Sequence, residues 1–297
     1  MSGEPIGATP TTTIGRVITA VVMVAGFTLF AMFTGVISAV MVTRLRNQWE
    51  AREMELMELN HHIIICGYNR SALTIISELQ SDEKTRNTPV VLVAELEQAP
   101  SFAALGLRPD TLYFVRGDYT SATVLQKAGI ERASATVLLA DKSVSRSDQD
   151  RDARTLLAAL TIEKLHPGIF TCAELLRREN IEHLSMAKVE EIVIGDDYMG
   201  YLIAHASRAR GVIKVMDELL TASRGNQFYK ISVPPSLVGK TFLEAFVKIK
   251  NEQDAIVMAV EATREDQNRI IYTNPPGNFK LEMGDELLVI SQHEPVC

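Results

Sequence analysis

The stretch His61-His62-Ile63-Ile64-Ile65-Cys66-Gly67-Tyr68-Asn69-Arg70 decides the fold of this chain. Three isoleucines and a cysteine run straight into a glycine. A buried parallel strand has this near-continuous apolar character, because helices cover both faces of its sheet. The glycine permits the tight turn that sends the next helix back across that sheet. Runs of the same kind follow at residues 90–94, 112–115, 135–140, 169–173 and 191–194, with amphipathic stretches between them, the clearest at 150–166. Strands alternating with crossover helices predict an α/β domain over residues 61–195, a doubly wound parallel sheet of Rossmann-like order.

A full dinucleotide fingerprint reads G-x-G-x-x-G. Here the first turn is Gly67-Tyr68-Asn69-Arg70-Ser71-Ala72, with Asn69 and Ala72 in place of the later glycines. Asparagine tolerates a left-handed backbone better than most residues, and alanine still permits close helix–strand packing. The N–H groups of the turn and the helix N-terminus can face a phosphate, with Arg70 adding positive charge. The same residues also suit an ordinary β–α turn with no ligand. Glu95 ends the second strand, where an acid accepts from ribose hydroxyls. It stands 28 residues after Gly67, and the polar insert 81–89 supplies the extra length. An acid there disfavours a 2′-phosphate, so NAD(H) or an adenine nucleotide is expected ahead of NADP; a solvated strand-end glutamate is the plainer alternative. Asp118 ends the third strand and Asp141 the fourth, at the edge where open α/β sheets bind ligands. Asp118 equally suits a helix cap.

No catalytic set accompanies these residues. Hydride transfer needs an acid or base beside the nicotinamide and a sizeable substrate domain. His166 precedes Pro167 at a helix end and His183 lies in a polar helix, neither with a partner that spacing identifies. A binding protein is expected, not an enzyme. The net charge of −7 gives no overall basic footprint for nucleic acid. Cys66 and Cys172 sit in apolar runs and Cys297 is the last residue, a pattern of small core residues rather than a disulfide framework. That usage suits a cytosolic domain.

Upstream, the 27 residues 17–43 pass without a charge. At ~1.5 Å per helical residue they span about 40 Å, more than the ~30 Å hydrocarbon core of a bilayer. A signal peptide has a shorter apolar core with positive charge before it; here Glu4 and Arg16 precede the run. Arg44, Arg46 and Arg52 follow it, which places the C-terminal side in the cytoplasm by the positive-inside rule. Residues 14–44 are therefore expected to cross the cell (inner) membrane once. Gly26 and Gly35 are the points of easy bending or close helix contact. Residues 45–60 hold no glycine or proline and are rich in strong helix formers. They predict a stiff helical connector, with Trp49 near headgroup level. Such a connector transmits displacement, whereas a Gly/Ser linker absorbs it. A dinucleotide-type domain hung on one membrane helix suits a sensor acting on something in the membrane.

Residues 196–225 predict two crossover helices broken near Arg210-Gly211, with apolar positions on one face. The pattern then changes over residues 226–297. Strands are expected at 228–233, 255–262, 269–273 and 286–290, and a helix near 241–250. Pro234-Pro235, Pro275-Pro276-Gly277 and Gly284-Asp285 mark the turns. This is a small α+β C-terminal lobe.

The runs HIIICGYNRSA, VRGDYT, SDQDRDARTLLAALTIEKLHP, AELLRRENIEHL and VIGDDYMGYLIA resemble the domain that regulates potassium conductance (RCK), kin of the subunits controlling Trk-type and Ktr-type uptake systems. The likeness runs from about His61 to the C-terminus. It implies a Rossmann-like TrkA-N lobe, crossover helices exchanged between neighbours at a dimer interface, and a TrkA-C lobe. It also implies assembly into rings that bind nucleotides or divalent cations. By that resemblance Gly67, Tyr68, Asn69, Arg70, Glu95 and Asp118 contact nucleotide, and Asp141 joins them from the strand-edge argument. Some channel members bind calcium through an acid at the Asp118 position and two more in an A-E-x-E pattern. Ala173-Glu174-Leu175-Leu176 keeps the first and has leucine for the second, so an implied metal site of Asp118 and Glu174 is incomplete.

Pro10-Thr11-Thr12-Thr13-Ile14-Gly15-Arg16 and Val21-Val22-Met23-Val24-Ala25-Gly26 resemble the start of the pore-lining inner helix of potassium channels. That resemblance puts residues 1–13 after a selectivity filter, with Gly3-Glu4 at its trailing edge, and puts Gly26 on the gating hinge. It implies a tetrameric pore for potassium ion, with the outer helix, pore helix and filter expected upstream of Met1. The expected function is a ligand-regulated potassium channel subunit. The alternative is a nucleotide-binding regulatory subunit of a separate Trk/Ktr-type potassium transporter.

Overall fold

The structure, a computed structural model, describes residues 11–222, 225–263 and 269–295, without the side chains of residues 39–55 and 263. The expectations for Gly3 and Glu4, for Cys297, and for the side chains of Arg44, Arg46, Trp49 and Arg52 lie outside the described residues. The chain divides into two units, residues 1–59 and 60–297.

The first unit holds one helix, α1 (Thr13–Glu58), of 46 residues. Thr12 caps it, its hydroxyl accepting from Gly15 N–H at 3.3 Å. Within Thr13–Ser38 an 18-residue stretch reaches a mean hydropathy of 2.2. Ile14, Val21, Phe27, Phe30 and Phe33 are each more than 60% exposed. A helix apolar on every side and long enough to span ~30 Å is suited to lipid. Thr19, Thr28 and Thr34 donate to carbonyls four residues back at 2.9, 2.7 and 2.8 Å, which satisfies their hydroxyls without water. The helix runs unbroken through residue 44, so the expected change from membrane segment to connector is one of composition alone. A Cβ built at Gly26 or Gly35 would meet nothing within 4 Å.

In the second unit, β1 (Ile63–Cys66), β2 (Val90–Ala94), β3 (Leu112–Arg116), β4 (Ala135–Leu138), β5 (Phe170–Leu175) and β6 (Glu191–Ile194) form one parallel sheet in the order β3-β2-β1-β4-β5-β6. This is the Rossmann order expected from the strand pattern. Helices α2 (Arg70–Ser81), α3 (Ala122–Lys127), α4 (Asp148–Leu165) and α5 (Ile181–Met186) connect the strands. All of β1 and β2 is buried, as their uninterrupted apolar runs require. Ile65, Ala72, Ile76, Leu92 and Leu112 form part of the core beside them. β4 stops two residues short of the expected 140. Beyond it the backbone turns toward the first β–α turn, and Lys142 N–H donates to the Tyr68 carbonyl at 2.9 Å.

Two crossover helices, α6 (Gly195–Arg208) and α7 (Val212–Leu219), break at Gly211, whose φ is +94°. The C-terminal lobe then places β7 (Gln227–Ser232), β8 (Ile256–Thr263), β9 (Arg269–Thr273) and β10 (Glu286–Ser291) in an antiparallel sheet of order β7-β10-β8-β9. Helix α8 (Phe242–Gln253) packs Phe242, Ala245 and Ile249 against that sheet. A capping box between Thr241 and Glu244 starts α8. The polar insert after α2 meets this lobe where Lys84 pairs with Glu294 at 2.6 Å, and Glu78 of α2 accepts from Ala222 N–H, after α7, at 2.7 Å.

His62 opens β1 fully buried, its Nε2 2.8 Å from the Ala128 carbonyl and its Nδ1 without a partner among the described residues. Burial drives its pKa below the ordinary 6.5; the Ala128 bond opposes this and the charge of Arg132 adds to it. The unfolded chain therefore takes the proton first. His62 contributes its full share of stability above about pH 6.5 and loses it as pH falls below that value. The expected result is a melting temperature that falls between pH 7 and pH 5. A His62→Gln variant should flatten that part of the profile in thermal melts, and an unchanged slope would exclude His62 as its source.

Candidate functional site

The sheet reverses direction of winding between β1 and β4, and the crevice beyond their C-terminal ends is where such sheets bind ligands. Gly67 closes β1 with φ +87°, and a Cβ there would stand 2.7 Å from the Leu139 carbonyl oxygen. Both the backbone conformation and the close approach require glycine. Asn69 does not take the left-handed backbone expected of it. At φ −148° it is extended and caps α2, its Oδ1 accepting from Ser71 N–H at 2.8 Å. Its Nδ2 donates to the Ala140 carbonyl at 3.0 Å and to Glu174 Oε2 at 2.8 Å. The position therefore selects a side-chain amide with both an acceptor and two donors, which a second glycine lacks. Ala72 is fully buried, as close helix–strand packing demands. Arg70 opens α2 with its side chain exposed.

Asp141 is almost fully buried. Its Oδ1 accepts from Tyr68 N–H at 3.2 Å and Ser143 N–H at 2.8 Å. Its Oδ2 lies 3.7 Å from Arg146 Nη1. Arg146, on the loop between β4 and α4, also reaches Glu95 Oε2 at 2.5 Å and Asp150 Oδ2 at 3.5 Å. Arg154, two turns into α4, donates to Asp118 Oδ1 at 2.7 Å and Glu95 Oε2 at 3.2 Å. Its guanidinium carbon lies 5.2 Å from the ring centroid of Tyr119, a residue with no exposed surface. Burial pushes the Tyr119 phenol up to about 12, so it stays neutral.

Asp118 does not cap α3, whose N-cap is Ser121. It accepts from Thr120 N–H at 2.9 Å and Thr120 Oγ1 at 2.8 Å, an Asx turn one step earlier. Burial works to raise the Asp118 carboxyl, but the Thr120 bonds and the Arg154 guanidinium outweigh it and hold the group below its usual range. The strand-end acids singled out in the sequence thus gather at one edge, and two arginines tie them together. Those arginines were missed. The available signal was counter-charge: three acids at neighbouring strand ends need cations, and Arg146 and Arg154 flank the start of α4. Asp141 Oδ2, Ser143 Oγ, Arg146 Nη1 and Arg154 Nε are buried with no hydrogen-bond partner among the described residues. Proteins rarely leave such atoms unpaired, and this mixture of donors and acceptors suits a polar ligand.

The proposed metal acids are otherwise engaged. Glu174 Oε2 accepts from Ala140 N–H at 3.0 Å as well as from Asn69, so it ties β5 to the first turn. Among the described residues no three His, Cys, Asp or Glu side chains gather to hold a metal ion. Cys66 and Cys172 are free, and burial pushes the Cys66 thiol up to about 12.

Residues 58–173 match the profile of the calcium-activated potassium channel slowpoke-like RCK domain. Residues 196–296 match that of Castor and Pollux, part of voltage-gated ion channel. The chain thus carries a match to the RCK domain of potassium channels and is similar to potassium-channel proteins along nearly its whole length. The calcium-gated potassium channel TvoK of Thermoplasma volcanium is 24% identical over 286 residues, covering 96% of this chain and 77% of that protein. Potassium channel protein 1 of Methanocaldococcus jannaschii is 25% identical over 289 residues, covering 96% and 80%. The human SLO3 gating ring shares the fold of the RCK domain, with a TM-score of 0.55 and 13% identity over 78% of this chain and 44% of that one.

Proposed function

We propose that this protein is a ligand-gated potassium channel subunit whose RCK domain, on the cytoplasmic side, binds NAD(H) or an adenine nucleotide in the β1/β4 crevice. The observation that carries the proposal is the buried edge at Asp141, Arg146 and Arg154, where polar atoms without a hydrogen-bond partner among the described residues line the point of strand-order reversal. The N-terminus of α2 and Arg70 suit a phosphate, and Glu95 suits ribose hydroxyls. Ligand would bias gating by its difference in affinity between open and closed assemblies. Homo-oligomeric rings of RCK domains would then act on the membrane through α1, with Gly26 as the bending point. An RCK subunit serving a separate transporter is disfavoured by the apolar surface of α1, which such a peripheral role leaves without purpose.

TvoK is calcium-gated by its name. Calcium comes second here because Asp118 is engaged by Thr120 and Arg154, and Glu174 by Asn69 and Ala140. Calcium takes six to eight oxygens, and a cation at either acid would have to break those bonds. Titration calorimetry of the full chain with NADH, NAD, ADP and calcium chloride separates the readings. Saturable nucleotide binding is expected, weakened at least tenfold by Glu95→Ala and by Arg70→Ala. Affinity unchanged in both variants would overturn the pocket. Potassium flux that responds to calcium, with no nucleotide binding, would give the site to the cation.

A further inference from the structure

We infer that Arg146 is the residue that sets ligand specificity in this crevice, by making phosphate a condition for ribose binding; this rests on the nucleotide reading above. Glu95, the acid suited to a ribose diol, already has Arg146 against its Oε2 at 2.5 Å and Arg154 at 3.2 Å. Arg146 also stands 3.7 Å from Asp141 Oδ2, and the other oxygen of Asp141 holds Tyr68 N–H of the first turn at 3.2 Å. One guanidinium thus lies between the ribose acid and the turn whose N–H groups suit phosphate.

The consequence is an exchange. A diol held by both carboxylate oxygens of Glu95 competes with Arg146 for Oε2, so a ligand offering only hydroxyls breaks a charge-assisted bond there and returns a weaker one. A ligand that also carries phosphate gives the displaced guanidinium a second anion, and Arg suits phosphate through its paired N–H groups. Arg146 Nη1, buried and without a hydrogen-bond partner among the described residues, is the donor available for it. Arg154 does not share this role, because its Asp118 bond at 2.7 Å and its place over Tyr119 hold it, and no hydrogen bond or ion pair joins it to Asp141 among the described residues. Specificity for nucleotide over nucleoside then comes from an internal competitor as well as from direct attraction to the ligand.

The test is the affinity of the full chain for ADP and for adenosine, by calorimetry, in wild type, Arg146→Ala and Arg146→Lys. Wild type is expected to prefer ADP at least a hundredfold. Arg146→Ala should weaken ADP about tenfold or more while leaving adenosine unchanged or binding up to tenfold tighter, because Glu95 is freed. Arg146→Lys, a charge without the fork, should fall between them. Equal weakening of both ligands in Arg146→Ala, or no change in either, would overturn the assignment while leaving the nucleotide pocket standing. Absence of binding by either ligand to wild type would instead overturn the nucleotide reading itself. Thermal melts of each variant check the fold, and Glu95→Gln is the second route: it releases Arg146 without deleting it. There the preference for ADP over 2′-deoxy-ADP should disappear, and its persistence would also count against the exchange.

Discussion

Asp141→Ala is expected to destabilise the RCK domain by about 3 kcal/mol or more. One carboxylate there serves two part-buried backbone donors, Tyr68 N–H and Ser143 N–H, and faces Arg146. Removing it orphans both N–H groups, each worth ~1–3 kcal/mol when buried. It also strips a counter-charge from a largely buried guanidinium, for which losses of about 3–5 kcal/mol are typical when one partner of a buried pair is deleted. Glu95 and Asp150 remain beside Arg146 and offset part of that second cost. For a domain of this size each kcal/mol moves the melting temperature by roughly 2–4 °C, so a fall of about 6–12 °C follows. Asp141→Asn separates the two contributions. It keeps a carbonyl oxygen for the backbone donors and loses only the charge, so it should recover at least half of the loss. A drop of less than 2 °C in Asp141→Ala would show that the first turn does not depend on this carboxylate.

What could be read from the chain in advance divides along a physical line. The parallel sheet was legible because a strand buried on both faces must be apolar at every position, and residues 63–66 and 90–94 are. Gly67 was legible because a sharp exit from such a strand needs its backbone freedom. Asn69 was found for the wrong reason. Its left-handed tolerance is a local property, but its bonds go to Ala140 and Glu174, 71 and 105 residues away. Arg146 and Arg154 escaped for the same cause, since their acids lie 51 and 36 residues upstream and no local period joins them. The insert at residues 81–89 reads as added length until Lys84 meets Glu294 across 210 residues. Apolar pattern sets the elements, and long polar reach sets the site.

The connector carries the other large effect. Replacing residues 46–57 with a Gly/Ser segment of equal length should abolish the response of potassium flux to nucleotide while leaving nucleotide affinity within about twofold. Reach is not the reason. Twelve helical residues cover about 18 Å at ~1.5 Å each, and twelve Gly/Ser residues have an r.m.s. span of about 19 Å at ~5–6 Å × √n. The two differ in stiffness. In the native chain α1 runs without a break from Thr13 to Glu58, and only four residues separate its end from β1. Helix backbone bonds hold that length as a rod, and in the proposed reading a shift at the RCK domain would be passed along it to the apolar segment. A random coil of the same mean span absorbs the shift in its own fluctuations. Binding, in the proposed reading, draws on the edge formed by residues 67–70, 95, 118 and 141–154, none of which the replacement touches. The measurement is flux in membrane vesicles from cells expressing the protein from its own locus, with and without nucleotide, alongside calorimetry on the purified chain. A third chain carrying a designed Ala/Glu/Lys helix at residues 46–57 should respond again, because rigidity and not side-chain identity is what the connector supplies. A Gly/Ser chain that still responds to nucleotide would show that the signal reaches the membrane by another route.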